Sequence, residues 1–566
     1  MKSANKTGLF PFLTMGLILF FSNGCKDDEV VFQIEGYPIN PVALTTSDRT
    51  VVVDSVALPA IYAYEVSEYQ QYGYGVWHYG AGLPFEKRLD LMPSGYPAAT
   101  VTNTAKLLHF FAMTDIHITD KESPAGGVYF GWKIASPYIS AYSPVMLYTT
   151  HVLDAAVQTV NALHKENKFD FGIALGDICN NTQYNELRWF IDVFDGKNIN
   201  PDSGDKDDPK PGPNNDYQDE YKAAGLDQSI PWYATMGNHD HFWMGVDPVD
   251  DYIRQTLTGD SILKMGNIFT SGGILRRDFY MGVLDGRTLY GDVLGAGPVV
   301  STFPEKIAAD PKRRSLTREQ WMNEFSNTST SPNGHGFSQA DAATGFACYS
   351  FEPKSDLPLK VIVLDDTQRD DDTGALIYGY GSLDQKRYDW LVAELDKGQT
   401  EGKLMVIAAH IPIGVEKPGS FLGWWSKAYV TENNLMAKLH TYPNLILWVS
   451  GHRHLNTVTP LPSPDAARPE LGFWEIETSS LREYPQQFRT FDIVRNSDNT
   501  ISIFTTDVDP AVKDGSFAAV SRSYAIAANQ IFRHPLLNRS YNAELVKKLS
   551  AEMQTKIQNH GTTIVR

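Results

Sequence analysis

Short runs of uninterrupted apolar residues divide the middle of the chain into regular segments. They occupy residues 107–113, 169–175, 230–235, 359–364, 404–409 and 445–449. Continuous rather than alternating apolar runs are typical of strands in a sheet that is covered on both faces. Helical patterns near 145–165, 182–194 and 382–396 lie between them. This alternation predicts an α/β protein with its helices outside the sheets.

Polar residues that can bind metals or transfer protons follow five of these runs directly. In an open α/β sheet the carboxyl ends of the strands face one crevice, so residues far apart in sequence converge there. The stretch MGNHDH at 236–241 supplies the densest group. The candidates are Asp115, His117, Asp177, Asn238, His239, Asp240, His410, His452 and His454.

The ligand types in this set indicate the metal chemistry. Imidazole nitrogen, carboxylate oxygen and amide oxygen without a thiolate suit divalent ions such as Zn, Mn and Fe, and two ions can share one aspartate. Each short motif alone also has an ordinary structural explanation, such as a turn or a surface strand pair. Because all five follow apolar strands in order, we interpret them as one dinuclear site.

The ordered motifs D-x-H, G-D, G-N-H-D, H and G-H-x-H resemble those of the calcineurin-like metallophosphoesterase superfamily. The resemblance covers residues 106 to about 508, including the supporting segment at 380–383. It implies a four-layer α/β/β/α sandwich with helices outside mixed sheets. One implied metal is held by Asp115, His117, Asp177 and His454, and the other by Asp177, Asn238, His410 and His452. His239 would be the outer catalytic histidine, steadied by Asp240.

The resemblance implies hydrolysis of a phosphate mono- or diester by attack of a metal-bridging hydroxide, with His239 protonating the leaving group. The cofactors would be two divalent ions, with Mn, Fe and Zn all open. Asn180 stands where purple acid phosphatases carry a tyrosine, which argues against that branch. The alternative is a cell-surface binding or scaffold protein that retains the fold and metal site. A metalloprotease would need His-Glu-x-x-His, which this sequence lacks.

Charge and cysteine content limit the classes of binding partner and of covalent cross-link that we expect. The chain has 566 residues with 49 basic and 67 acidic side chains, a net charge of −18, which disfavours bulk nucleic acid. We expect a small-molecule or lipid-headgroup phosphate ester as substrate. Cys179 and Cys348, which follow Cys25, form no disulfide framework. Cys179 is interpreted as a small buried residue, although it lies close to Asp177.

The first 25 residues have the pattern of an export signal. Lys2 and Lys6 precede an apolar stretch that ends near Cys25, which resembles the lipidated cysteine of bacterial lipoproteins. The segment Lys26-Asp27-Asp28-Glu29 resembles an acidic signal for export to the cell surface. The alternatives are an ordinary signal peptide and a solvated acidic tether. We expect an exported lipoprotein of the outer membrane that is held to the membrane only through Cys25. A more specific expectation is that it faces the outside of the cell.

The predicted organisation has four parts. A signal peptide at 1–25 is followed by an N-terminal extension with short strands at 26–105, a catalytic domain at 106–510 and a helical C-terminal segment at 511–566. A long insertion at 241–358 interrupts the catalytic domain, and we expect it to select the substrate. Within it, His335 either meets a phosphate or headgroup across the cleft or is a structural histidine in a turn. Residues 203–220 are expected to form an exposed loop.

Overall fold

The computed structural model describes residues 32–33, 45–54, 58–61, 66–126, 143–205, 215–260, 283–284, 293–294, 307–372, 375, 377–414, 423–532 and 542–564. The predicted signal peptide with Cys25 and the acidic residues after it lie outside these ranges. Within them, no helix combines the length and apolar character needed to cross a bilayer.

The strands and helices of the described ranges follow in chain order. The strands are β1 (Phe32–Gln33), β2 (Arg49–Val53), β3 (Trp77–Ala81), β4 (Glu86–Arg88), β5 (Asn103–Met113), β6 (Phe171–Ala174), β7 (Asn198–Ile199), β8 (Tyr221–Lys222), β9 (Trp232–Ala234), β10 (Phe242–Trp243), β11 (Asp247–Pro248), β12 (Val283–Leu284), β13 (Val293–Leu294), β14 (Tyr349–Phe351), β15 (Leu359–Leu364), β16 (Leu404–Ala409), β17 (Leu445–Ser450), β18 (Thr457–Leu461), β19 (Phe473–Glu477), β20 (Phe488–Asn496), β21 (Ile501–Val508), β22 (Ala543–Lys547) and β23 (Thr562–Thr563). The α-helices are α1 (Thr149–Glu166), α2 (Tyr184–Asp195), α3 (Asp251–Thr258), α4 (Arg318–Glu324), α5 (Gln339–Ala342), α6 (Gln385–Thr400), α7 (Glu432–Leu439), α8 (Phe517–Phe532) and α9 (Ala551–Ile557).

Two mixed sheets form the centre of the molecule. The larger has the order β4-β22-β21-β20-β5-β6-β9, with β23 paired to β5, and its members β5, β6 and β9 run parallel. The smaller has the order β14-β15-β16-β17-β19-β18. In it β15, β16, β17 and β19 are parallel, while β14 and β18 are antiparallel edges. The predicted mixed α/β class is confirmed.

Both faces of the inner strands are covered, as the continuous apolar runs predict. In β15, Val361 and Val363 belong to a core cluster that contains residues of both sheets. The alternate residues Ile362 and Leu364 pack in a second cluster with residues of α6 and α7, such as Leu395. This alternation places β15 between the other sheet and the outer helices, because successive side chains of a strand point to opposite faces.

Two segments differ from the sequence expectations. The C-terminal segment, expected to be helical, contains β22, which pairs with both β21 and β4 and so lies within the larger sheet. Residues 203–220, expected to form an exposed loop, include Ser203, Asp216 and Asp219, which are buried. Ser203 is buried because its hydroxyl donates to Asp120 at 2.8 Å and its amide to Glu122 at 2.9 Å. Local polarity therefore does not predict exposure here.

The described part of the long insertion is packed into the main body. Trp321 and Phe325, on and just after α4, belong to the core cluster shared by the two sheets. The guanidinium of Arg313 is buried and donates to Asp120 at 3.1 Å. Residues 307–358 thus contribute to the stability of the domain, while substrate selection by the insertion stays a prediction.

Candidate active site

Every residue of the candidate metal set lies directly after a parallel strand, and the two sheets share the set between them. The larger sheet supplies Asp115 and His117 after β5, Asp177 after β6, and Asn238 after β9; the smaller supplies His410 after β16, and His452 and His454 after β17. The sheets face each other, so these strand ends meet in one place.

One group of possible ligands joins Asp115, His117 and His454. The Nε2 atom of His454 lies 3.2 Å from Asp115 Oδ1 and also 3.2 Å from Nε2 of His117. One potential ligand atom from each of the three residues lies within 4.8 Å of the others. The three side chains could therefore hold one metal ion.

A second group joins Asp177, His410 and His452 under the same criterion. The Nε2 atom of His410 lies 3.3 Å from Asp177 Oδ2 and 3.0 Å from the side-chain oxygen of Asn238. Asp177 Oδ2 is also 3.7 Å from Nε2 of His117 in the first group. Asp177 thus lies between the two groups, which is the position that a shared ligand requires.

The donor set fits divalent cations. His452 Nε2 is buried and has no hydrogen-bond partner in the described structure. A buried polar atom without a partner is unfavourable by about 1–3 kcal/mol. Coordination of a cation by this nitrogen would remove that penalty, and the absence of thiolate from the donor set suits ions such as Zn, Mn or Fe.

The four ligand histidines differ in protonation state because their neighbours differ. Burial lowers the pKa of His117 and brings that of His452 down to about 3, so both rings are neutral and offer a lone pair. Burial also acts to lower the pKa of His410 and His454. The adjacent carboxylates outweigh it and raise both values to about 10. Metal binding would replace these two protons, because a ligating imidazole must be neutral.

The backbone turns sharply at five of the ligand positions. Left-handed φ values occur at Asp115 (49°), His117 (46°), Asp177 (50°), His452 (78°) and His454 (60°). Such a conformation is unfavourable for a residue with a side chain, by about 1–3 kcal/mol each. Contacts between the loops hold it in place, including the His117 amide, which donates to the Asp177 carbonyl at 2.9 Å.

Two histidines are oriented by groups behind them. Nδ1 of His410 donates to the Leu175 carbonyl at 2.8 Å, and Nδ1 of His454 contacts the Glu483 carboxylate. Each contact leaves Nε2 facing the site, which fixes the tautomer that binds a metal. The sequence pattern did not identify Glu483, since it follows no apolar run.

A further carboxylate, Asp366, was also missed. It accepts hydrogen bonds from the backbone amides of His410 and Ile411, each at 3.2 Å, and so supports the loop after β16. Asp366 follows the apolar strand β15 almost directly. The rule that identified the ligands therefore also pointed to this residue.

His239 is half-buried, with its ring edge-on to His117 at a centroid distance of 4.5 Å. One of its ring nitrogens also lies within 4.8 Å of potential ligand atoms of His117 and Asp177. Its Nδ1 lies 2.8 Å from the backbone carbonyl of Asn180. Because a carbonyl only accepts, Nδ1 carries the proton and Nε2 remains for chemistry with a substrate. Its amide donates to Asp177 at 2.8 Å, which ties this loop to the shared ligand.

The prediction that Asp240 steadies the ring of His239 is wrong, because its carboxylate points elsewhere. The Asp240 carboxylate does not hold the His239 ring, which Asn180 orients instead. It accepts backbone hydrogen bonds from Ile178 at 3.0 Å, Cys179 at 2.9 Å and Gly237 at 2.8 Å. Asp240 therefore joins the loops after β6 and β9, and it acts on the site through the backbone.

Cys179 and His335 are both structural. Cys179 is fully buried, and burial raises the pKa of its thiol well above the ordinary value, which confirms the interpretation as a buried residue. His335, considered for a contact across the cleft, is fully buried and stacks on Trp232 with ring centroids 3.4 Å apart. Its Nδ1 lies 2.9 Å from the Trp232 carbonyl, so the alternative of a structural histidine is correct.

Comparison with known proteins supports the motif interpretation. Residues 108–327 match the family model described as calcineurin-like phosphoesterase. The matched part contains Asp115, His117, Asp177 and Asn238, while the ligand candidates of the smaller sheet lie beyond it. A search of proteins with curated descriptions gave no match.

Among solved structures, the chain is similar to a dimetal phosphatase from Danio rerio. The identity is 10%, the TM-score is 0.37, and the alignment covers 72% of this chain and all of that one. The match over residues 108–327 thus shows that this part of the chain is similar to calcineurin-like phosphoesterases, and its ligand candidates converge with those of the smaller sheet.

Proposed function

We propose that this protein hydrolyses a small-molecule or lipid-headgroup phosphate mono- or diester at a site for two divalent ions. One ion is assigned to Asp115, His117, Asp177 and His454, and the other to Asp177, Asn238, His410 and His452. The observation that carries this proposal is the position of Asp177 between the two ligand groups, with His239 directly beside them.

The chemistry divides between the ions and the protein. When bound, the ions supply positive charge toward the phosphoryl oxygens and the attacking water. Asp115 and Asp177, with the ligand histidines, would hold the ions. The protein must also provide a proton for the departing alkoxide, because an alkoxide is a poor leaving group at neutral pH.

His239 is the residue placed to supply that proton. Burial lowers the pKa of His239, while the Asn180 carbonyl accepts the hydrogen bond of Nδ1, which fixes the ring and acts in the opposite direction by favouring its protonated form. Nε2 then carries the proton that passes to the leaving oxygen. The ions held by the ligand residues would activate the attacking water, so no covalent enzyme intermediate would be required.

The test compares two esters that differ in the acidity of the leaving group. His239→Ala should slow hydrolysis of an alkyl ester by about 10²-fold or more, because the alkoxide leaves only with a proton. A nitrophenyl ester, whose phenolate leaves unaided, should lose far less. His440→Ala is a matched control, since the Nδ1 atom of His440 also faces a carbonyl, that of Leu471 at 3.0 Å, outside the site. Equal losses for both esters would remove the general-acid role.

Metal analysis tests the site independently of turnover. Protein purified without chelator should contain close to two divalent ions per chain, and His410→Ala together with His454→Ala should abolish them. Two bound ions without hydrolysis of any phosphate ester would favour the alternative of a binding or scaffold protein. Activity with one ion or none would contradict the dinuclear assignment.

For location, we propose that the protein is an exported lipoprotein anchored through Cys25. The more specific version of this proposal places it on the outer face of the outer membrane, and the less specific one places it in the periplasm. The support is the sequence pattern of residues 1–29. Cys25→Ala should release the protein from the membrane fraction. Digestion of intact cells by an added protease separates the versions, because full protection would leave only the periplasmic one.

A further inference from the structure

A buried arginine joins the loops that carry His117 and Asp177, and the second of these loops contacts the ring of His239. Arg482 is 1% exposed, and its Nη1 donates to the side-chain oxygen of Asn180 at 2.7 Å and to the hydroxyl of Thr119 at 3.2 Å. The hydrolysis described above does not use this guanidinium. Its burial prevents direct contact with a substrate, so it can act on the reaction only through the residues that it binds and through its charge near His239.

Asn180 is the link from this arginine to the catalytic histidine. Its side-chain oxygen accepts from Arg482, while its backbone carbonyl accepts from Nδ1 of His239 at 2.8 Å. Asn180 is fully buried and its amide donates to the Ile118 carbonyl at 3.0 Å. Asn180 is therefore held by three hydrogen bonds. Loss of the guanidinium would free its side chain, which ties it to the loop after β19.

The peptide around Arg482 is itself tied to the metal loops. The hydroxyl of Ser480 donates to the Asp115 carbonyl at 2.7 Å and accepts from the Arg482 amide at 3.0 Å. The hydroxyl of Thr119 donates in turn to the His117 carbonyl at 2.8 Å. The position of the guanidinium is thus fixed relative to the site by backbone contacts on both sides.

We propose that Arg482 is a positioning residue for His239, which it keeps in one orientation and one tautomer by holding Asn180. The proposal deepens the general-acid role in the proposed function and rests on it for the kinetic part. It predicts that Arg482 matters for the departure of poor leaving groups, although it never contacts them.

Arg482→Gln should therefore cause the same selective loss of alkyl ester hydrolysis as His239→Ala, but to a smaller extent. We expect hydrolysis of an alkyl phosphate ester to fall about tenfold or more, and that of a nitrophenyl ester by less than about threefold. Arg482→Lys, which keeps a charged donor, should recover part of the loss. In a His239→Ala background, Arg482→Gln should cause no further loss with the alkyl ester, since the two residues act as a unit.

Arg489→Gln is the matched control for loss of a buried arginine. Arg489 is fully buried, pairs with Asp507 at 3.0 Å and donates to the side-chain oxygen of Asn456 at 2.9 Å. This variant should lower the unfolding temperature and leave the ratio of the two ester rates unchanged. A similar change of the ratio in both variants would show a general effect of destabilisation and overturn the proposal.

A chemical measurement tests the position of the ring without turnover. Carbethoxylation of His239 by diethyl pyrocarbonate, followed by peptide mass, should be faster in Arg482→Gln and unchanged in Arg489→Gln, with metal content unchanged in both. An unchanged carbethoxylation rate, a loss of metal, or equal losses for the two esters would each overturn the proposal. If the wild-type protein hydrolyses neither ester, the proposed function fails, and the carbethoxylation rate still decides whether Arg482 positions His239.

Discussion

Replacement of Gly176 by alanine tests whether the close approach of the two sheets fixes the site. Gly176 precedes Asp177 and has φ +90°, which favours glycine. A Cβ at this position would lie 2.7 Å from the amide nitrogen of Gly237 and 2.8 Å from Nδ1 of His410. Neither neighbour can rotate away, because one is backbone and the other is the ring nitrogen that donates to the Leu175 carbonyl.

The expected magnitude follows from two separate penalties. The left-handed backbone makes alanine unfavourable by about 1–2 kcal/mol. Relief of the contacts to ordinary van der Waals distance requires a displacement of about 0.6 Å, and overpacking of this kind typically destabilises by about 1–3 kcal/mol. We therefore expect Gly176→Ala to lower the free energy of unfolding by about 2–5 kcal/mol. Because the displaced ring belongs to His410, we also expect a loss of bound metal and a fall in hydrolysis of about tenfold or more.

Gly95→Ala separates the two penalties. Gly95 has φ +79°, and a Cβ there would meet no atom within 4 Å, so the variant has only the backbone strain. Thermal unfolding, elemental analysis and nitrophenyl ester hydrolysis should be measured on both variants. Gly95→Ala should be slightly destabilised and fully active. The reasoning would be refuted by a Gly176→Ala protein with normal metal content and normal rate, or by equal losses in the two variants.

Three further changes test other parts of the structure. Asp240→Ala removes the acceptor of three backbone amides, so it should lower metal content and slow hydrolysis of both esters equally, unlike His239→Ala. A selective loss with the alkyl ester would instead support the predicted role of Asp240 in steadying His239. His335→Ala should destabilise the fold by about 1–3 kcal/mol, measured by chemical denaturation, without a change in hydrolysis, because the ring stacks on Trp232 and hydrogen-bonds to the Trp232 carbonyl. Burial and a neighbouring carboxylate raise the pKa of Glu475 to about 8. The folded state therefore loses stability as the pH rises from the ordinary carboxyl pKa toward 8, and Glu475→Gln should raise the unfolding temperature at pH 8 but not at pH 4; an equal gain at both would contradict this.

The site could be predicted from the sequence because its ligands follow a simple rule. Each lies within a few residues of the carboxyl end of a buried parallel strand, and such strands are visible as continuous apolar runs. The rule needs no knowledge of loop conformation, so it places Asp177 and His410 correctly although they lie far apart in the chain. Applied to every run, it also points to Asp366.

The supporting residues could not be predicted in the same way. Asp240 neighbours His239 in sequence, but adjacent residues in a turn direct their side chains differently, and its carboxylate turns back to the amides of two loops. Glu483 and Arg482 reach the site through a segment without an apolar run of its own. Their roles depend on loop contacts between distant parts of the chain, which leave no local periodicity. The C-terminal strand β22 was missed for a related reason, since its pairing with β21 rather than its own pattern determines its conformation.

The division of the ligands between two sheets also determines when the site comes into existence. His117 and His454 lie 3.2 Å apart in space and 337 residues apart in the chain. A polypeptide that has not yet paired β17 with β16 lacks His452 and His454 at the site, two of the seven ligand candidates, and metal sites are rarely preformed in unfolded chains. Complete metal coordination would therefore follow the pairing of these last strands. The ions available at that stage of folding would be the ones that the site can take up.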